Sequence, residues 1–530
     1  YIYSFDYETN KIVKKTANIK SGFAKKMSID KYNRIWIGTW REGIYRSNTD
    51  VTEFKKIALV SETSNKLSGN YNTILNIHHD KNNVTWLSTA GGGIVKILEG
   101  NGFENINDNL KNKELKQFLN CTSIYKNEKQ IFLGTLLKGV YFGDDFSNLN
   151  QIKEIGNVKI NTIYHYKSKL YIGSAQGFAI FNLTTQRIEL LQNNIKKVTS
   201  FLIDNDKIFI GTQQTGLAIT ALKDLDNLNK YKFYNEKKSS YGKFESNRIT
   251  SIVKDKKNLI WVGTYNGLNL FDSLKKQFIH QSKLLDKKLP SSIINSIATK
   301  DNKIWLATPN GLEILKYNGN KLTVERELTV NDGLNSDFIC ALTFDNKSNL
   351  WFSTHTEIVK YNYIKKEILS YGDINGIKST SFNNNSFFNY KNEHIFFGGI
   401  DNVTHFNPNQ IKNYKNIPEI IFTNLRVNNQ IIQYQPNSSI LNKNFNYADK
   451  IKLSYEEGFF STSFVVNDFL GNLNVKYQYQ LKGNQNQWID VLNRNEINFA
   501  GLSPGKYVLK VKASRDNQNW SQPKSLQITL

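Results

Sequence analysis

Residues 258–271 read Asn258-Leu259-Ile260-Trp261-Val262-Gly263-Thr264-Tyr265-Asn266-Gly267-Leu268-Asn269-Leu270-Phe271. Ile260 to Val262 carries an aromatic and branched residues without charge, which predicts a buried strand. Asn266-Gly267 is a strong hairpin signal and predicts a type I′ turn, whose two central residues need positive φ. Leu268, Leu270 and their alternates then form a returning strand. Upstream, Ile249 to Val253 predicts a third strand, closed by the polar turn 255–258. Three antiparallel strands are one short of a propeller blade.

The unit recurs. The aromatic-apolar-Gly-Thr half stands at Trp36, Trp86, Phe132, Tyr171, Phe209, Trp261, Trp305, Trp351 and Phe396, nine copies spaced 38 to 52 residues apart. A repeat of this length with period-two apolar patterning is that of β-propeller blades, and it excludes a helical solenoid. One blade cannot bury both faces alone, so each must pack on a neighbour, and a closed ring hides the strand edges.

Residues 1–110 hold a partial repeat and two full ones, and 111–412 hold seven. The expected division is the last blades of one propeller (1–110), a complete seven-bladed propeller (111–412), and a third domain (413–530). A single nine-bladed ring is the alternative. After Asn407-Pro408-Asn409 the repeat stops. Short strands at Ile420-Ile421-Phe422, Ile451-Lys452-Leu453, Ser463 to Val466, Tyr477 to Leu481, Tyr507 to Val511 and Leu526 to Ile528 predict an immunoglobulin-like β-sandwich. It lacks the Cys…Trp…Cys core of true immunoglobulin domains. The fold class is therefore all-β. The chain opens inside a repeat, which reads as a fragment of a longer protein.

The net charge of +23 invites an anionic partner. Residues 411–530 carry 14 basic and 8 acidic side chains, leaving +17 for the first 410. The excess is spread evenly, without a basic stripe, which speaks against direct nucleic-acid binding. No run of about 18 apolar residues occurs, so nothing here reads as a membrane-spanning helix. Cys121 and Cys340 lie at the same position of the first strand in different blades, beyond the roughly 7 Å Cα separation of a disulfide. Both read as small buried residues.

The repeats, notably Asp332-Gly333-Leu334-Asn335-Ser336 before Asp345 and Trp351-Phe352-Ser353-Thr354, resemble the regulator-propeller repeats of periplasmic sensors in Bacteroidetes hybrid two-component systems. So does the closing blade, from Ser381-Phe382-Asn383 through Phe396-Phe397-Gly398-Gly399 to Phe406-Asn407-Pro408. The tail resembles the triple-tyrosine domain that follows them, with Tyr477, Tyr479, Leu481-Lys482-Gly483, Trp488, Leu502-Ser503-Pro504-Gly505-Lys506-Tyr507 and Trp520-Ser521. Glu357 departs from the pattern, standing where other repeats have the turn Gly. The resemblance implies an extracytoplasmic sensor that binds a glycan-derived oligosaccharide. It further implies a homodimer, and a C-terminal membrane helix leading to a histidine kinase or, alternatively, a DNA-binding output.

Catalytic motifs are absent: there is no Gly-x-Ser-x-Gly, Cys-x-x-Cys or His-Glu-x-x-His. No metal, cofactor or catalytic residue is therefore assigned. His78-His79 is expected to put one ring in the core and one in solvent. Glu456-Glu457 is expected in a solvated turn, and Gly91-Gly92-Gly93 in a hairpin. The candidate surface is the propeller rim, where turns between second and third strands vary while the strands repeat. Its candidate ligand residues are Trp40, Arg41, Gln213, Gln214, Tyr265, Asn266, Asn310 and His355. Each is also compatible with an ordinary turn residue. Aromatic faces with amide and Arg donors suit a sugar, and Arg suits an acidic one. Two other readings stay open: a propeller-fold glycosidase or lyase, with two carboxylates at roughly 5–10 Å in the channel mouth, and a protein-interaction scaffold.

Overall fold

A computed structural model describes residues 2–15, 23–57, 72–80, 83–97, 102–236, 244, 246–272, 277–285, 288–411, 419–436, 438–467, 469, 475–491, 495–515 and 519–530. Seven four-stranded antiparallel sheets form a ring. Their innermost strands are Cys121–Lys126, Ile160–Tyr166, Val198–Asp204, Ile249–Lys254, Ser296–Lys300, Ala341–Phe344 and Phe382–Tyr390, blades one to seven. Each lies beside the next, and the last lies beside the first.

The seventh blade has only three strands from its own repeat. Its fourth, Phe103–Asn105, comes from upstream and pairs with Val403–Phe406, so that Phe103 faces Phe406. This pairing closes a seven-bladed ring and excludes the nine-bladed alternative. The closing strand lies ahead of residue 111, where the repeat count had placed the start of the ring. Two short helices, Ile106–Asn109 and Lys113–Phe118, connect it to blade one.

The recurring Gly-Thr now has two physical reasons. A Cβ at Gly263 would lie 2.9 Å from Ile294 Cγ2, on the inner face of the next blade. The same collision arises between Gly134 and Ile160 at 2.6 Å, and between Gly211 and Ile249 at 2.7 Å. Blades approach this closely only where the side chain is a hydrogen. The Thr hydroxyl closes the turn that follows. Thr264 Oγ1 donates to the Gly267 carbonyl at 2.9 Å and accepts from the Asn266 amide at 3.0 Å. Thr135, Thr212 and Thr308 make the same bond to Gly139, Gly216 and Gly311.

This geometry corrects the expected type I′ turn. The loop residues are Tyr265 and Asn266, because Thr264 pairs with Gly267. Gly267 has a φ of 95° and Asn266 does not share the left-handed region. The turn's strain thus rests on the single Gly that opens the third strand. The aromatic of the repeat is fixed by an Asp six residues earlier: Asp345 accepts from Trp351 Nε1 at 2.9 Å, and Asp255 from Trp261 Nε1 at 3.0 Å.

Ahead of the ring stand a hairpin (Ile2–Asp6 with Lys11–Lys15), a four-stranded sheet within 24–57 and a three-stranded sheet within 74–97. After the ring, a four-stranded and a five-stranded sheet form the sandwich around one apolar core. Its short strands Gln430–Ile431, Ile489–Val491 and Glu496–Phe499 are additions to the sequence expectation. Tyr477 and Tyr507 are buried in that core, and Tyr479 packs against it. Tyr477 Oη accepts from the Val466 amide, and Tyr507 Oη donates to the Ser503 carbonyl. The sandwich touches the N-terminal sheets through Phe469, whose ring meets Trp86 edge-on at 5.0 Å and whose carbonyl accepts from Lys96.

Candidate functional site at the axial mouth of the ring

Each inner strand carries a polar side chain near its start that reaches the next blade. Thr122 donates to the Ile160 carbonyl, Asn161 to Val198 at 2.9 Å, and Thr199 to Ile249 at 2.8 Å. Asn295 donates to Ile339 at 2.8 Å, the Cys340 thiol to Phe382 at 3.5 Å, and Asn383 to Cys121 at 2.7 Å. The clips run around the ring with one exception. Thr250, at the corresponding place in blade four, has a buried hydroxyl with no hydrogen-bond partner.

Blade seven bulges at its inner strand, where the register shifts between Phe382 and Phe387. The bulge pushes Asn383, Asn384 and Asn385 into the channel. Asn385 has a φ of 53°, a conformation Asn tolerates better than most residues. Its amide donates to the Thr250 carbonyl at 3.3 Å, and its oxygen accepts from Ser296 Oγ at 2.8 Å. These side chains floor a cavity of about 270 Å³, whose walls include Thr122, Asn161, Thr199, Thr250, Gln213 and Tyr265. The lining is rich in amides and hydroxyls, and no carboxylate belongs to it.

Of the rim residues predicted from sequence, Gln213 and Tyr265 line this cavity. The Gln213 backbone N–H donates to the Lys197 carbonyl at 3.0 Å and the Tyr265 backbone N–H to that of Arg248 at 3.1 Å, which pins both beside the channel. The Arg248 guanidinium lies 4.2 Å above the Tyr265 ring. His355 stands on the same rim, 4.2 Å from the Phe338 ring and bonded to Ser381 Oγ at 3.2 Å. Gln214, Asn266 and Asn310 are exposed in their turns, outside the lining. Asn310 donates to the Pro290 carbonyl at 3.3 Å. Trp40 and Arg41 belong to the four-stranded sheet ahead of the ring and do not join the others. Trp40 there stacks under Lys25 at 4.3 Å.

Sequence reasoning missed Thr250 and the 383–385 run. Three consecutive Asn at the start of one inner strand, where other blades have one or two small polar residues, were the available signal.

The remaining candidates take structural places. His79 packs beside Trp36 and bonds Thr85 Oγ1 at 2.9 Å, while His78 is exposed. Glu456 and Glu457 form a short 3₁₀ turn whose Glu457 carboxylate accepts from the Ser454 amide. Gly91 and Gly93 flank a hairpin turn with positive φ. Both cysteines are free and buried, and burial pushes the Cys340 thiol up to about 12.

Two buried titratable groups lie away from the mouth. Glu313 is 2% exposed, and burial, partly offset by the Ser291 backbone, raises it to about 7. His405 is buried on the closing blade, 2.9 Å from His394. Burial, with His394 and Lys126 nearby, holds it down at about 3.

Residues 243–266 match the model for the two component regulator propeller, and residues 468–530 match that for the Y_Y_Y domain. The extracellular domain of the putative hybrid two component system BT3049 from B. thetaiotaomicron superposes with a TM-score of 0.74 at 25% identity. That match covers 99% of this chain and 70% of the other. The extracellular domain of BT4673 from the same organism shares the fold at a TM-score of 0.50 and 18% identity, over 99% of this chain and 72% of that one. Histidine kinase P4 of Formosa agariphila is 31% identical over 170 residues, 32% of this chain and 12% of the kinase. The chain thus spans a small part of that curated relative's length. Repeats, ring and terminal sandwich together make the chain similar, over nearly all its length, to the extracellular domain of a putative hybrid two component system, with a two component regulator propeller repeat and a Y_Y_Y domain at the matched segments.

Proposed function

We propose that the chain is the ligand-sensing region of a two-component regulator on the periplasmic side of the inner membrane, and that it binds a glycan-derived oligosaccharide at the axial mouth of its seven-bladed ring. The observation that carries this reading is the cavity itself. It is roofed by Gln213 and Tyr265, floored by Asn383–Asn385, and walled by Thr122, Asn161 and Thr199. Amides and hydroxyls match sugar hydroxyls, and an aromatic face matches the C–H face of a sugar ring. At about 270 Å³ it admits the end of a chain rather than a long segment.

A sensor must also convert binding into a change elsewhere, which requires ligand to favour one arrangement of the domains. The sandwich touches both neighbours, at Phe469 against Trp86 and at Lys476 beside Gly333. It relays the change, in a homodimer, through a membrane helix to a histidine kinase that controls transcription. A glycosidase needs paired acids at the mouth, and among the described lining residues there is none.

The test is a thermal-shift screen of the chain against neutral and acidic oligosaccharides. Ligand at 100 times its Kd is expected to stabilise by about 2.7 kcal/mol. A hit recovered intact supports the sensor, and a cleaved hit supports the enzyme.

A further inference from the structure

In blades two, three and four the carbonyl of the residue immediately before the inner strand holds the rim residue of its own blade. Ala175 donates to the Lys159 carbonyl at 2.9 Å, Gln213 to Lys197 at 3.0 Å, and Tyr265 to Arg248 at 3.1 Å. Blades two, three and four thus bring Lys159, Lys197 and Arg248 to one arc of the rim. Going on around the ring, the residues before Ile294 and Ile339 are Ile293 and Phe338. Both are partly exposed, and Phe338 stacks with His355 at 4.2 Å. The rim around the mouth is thus cationic on one side, where Lys159 lines the cavity itself, and apolar on the other.

None of the three cations takes part in a salt bridge among the described residues, whereas Lys138, farther out on the rim of blade one, is paired with Glu114. Described acids of the rim are committed elsewhere: Glu236, beside Arg248 in the fold, accepts from the Asn247 amide at 2.8 Å. Asp337 accepts from the Val330 amide, and Asp401 from Ser379 and the Thr380 amide. Arg248 lies over Tyr265, 4.2 Å from the ring centre, and its guanidinium donors can take an oxyanion.

We infer that the axial mouth selects an anionic sugar, its carboxylate or sulfate on the Lys159–Lys197–Arg248 arc and its ring turned towards Phe338 and His355. This rests on the mouth being the ligand site, and it adds the charge and the orientation of the ligand. Carboxylate and sulfate share the chemistry that three cations recognise.

The experiment is calorimetric titration of the whole chain with uronic-acid and sulfated oligosaccharides of two to six residues. Each is matched to its carboxyl-reduced or desulfated counterpart. The same titrations are run on Lys159→Gln/Arg248→Gln and, as a charge control away from the mouth, on Lys223→Gln. At least one acidic member is expected to bind about tenfold or more tighter than its neutral counterpart. That preference is expected to collapse in the mouth variant, to persist in the control, and to weaken between 0.05 and 0.5 M salt, roughly as screening lengths shorten. Uronates alone or sulfated sugars alone showing the preference identifies which oxyanion is read. Equal binding of acidic and neutral partners, lost on Gln213→Ala, overturns the inference and leaves the mouth as the site. Binding of no panel member, or binding indifferent to both the charge and the Gln213 substitutions, overturns both.

Discussion

The side-chain amide of Asn385, on the inner strand of the last blade, donates to the carbonyl of Thr250 on the fourth at 3.3 Å, 135 residues away in sequence. One bond thus spans the channel and turns an open ring into one with a floor.

Asn385→Ala removes this bond and the one from Ser296, and puts a Cβ-bearing residue without a compensating side chain at a φ of 53°. It is expected to cost about 1–3 kcal/mol. Asn385→Gly, which relieves the backbone, is expected to recover part of that. Urea unfolding of the two variants gives the comparison.

Thr250→Val tests the missing clip. Its hydroxyl is buried without a partner, so the apolar isostere is expected to unfold within about 1 kcal/mol of the parent, or to be more stable. A loss above that would mean the hydroxyl is satisfied in the free protein, and thermal melts without ligand decide it.

Gly263→Ala brings a methyl to 2.9 Å from both Ile294 Cγ2 and Ile297 Cδ1. Overpacking of this kind costs about 1–3 kcal/mol. The melting temperature is expected to fall, whereas Ala at exposed Gly319→Ala, with open space around it, reports only the backbone effect of a positive φ.

The repeat's period, its Gly-Thr mark and the domain order were legible because they are local. Gly263 and Thr264 act on neighbours that every repeat supplies in the same place. The identity of the closing strand was not. Phe103–Asn105 is three residues long, lacks the repeat's signature and is defined only by pairing with Val403–Phe406. The rim turns could be read from their variability, which gave Gln213 and Tyr265. Their variability alone could not separate these from Asn266 or Asn310, because the difference is whether the side chain faces the axis. Thr250 and Asn385 were hidden for a related reason: each matters through a contact, made or missing, with a distant blade.

Two buried groups set opposing pH dependences. His405 sits near 3 in the fold and near 6.5 when unfolded. The unfolded chain binds the extra proton, so stability is full above about 6.5 and lost as pH falls, by about 2 kcal/mol at pH 5. Glu313 sits near 7 against 4.5. Its contribution is full below about 4.5 and lost as pH rises through 7, by about 3 kcal/mol at pH 8. Glu313→Gln is expected to flatten the alkaline limb of a stability–pH profile, and His405→Phe the acid limb.

The most direct measurement is calorimetric titration of the oligosaccharide that stabilises the chain most, into the parent chain and into Gln213→Ala/Thr250→Val, with the sugar recovered afterwards. Binding at the axial mouth is expected to weaken about tenfold or more in the variant, with the recovered sugar intact. Equal affinity for both proteins, or a cleaved sugar, would contradict a sensor that reads its ligand there.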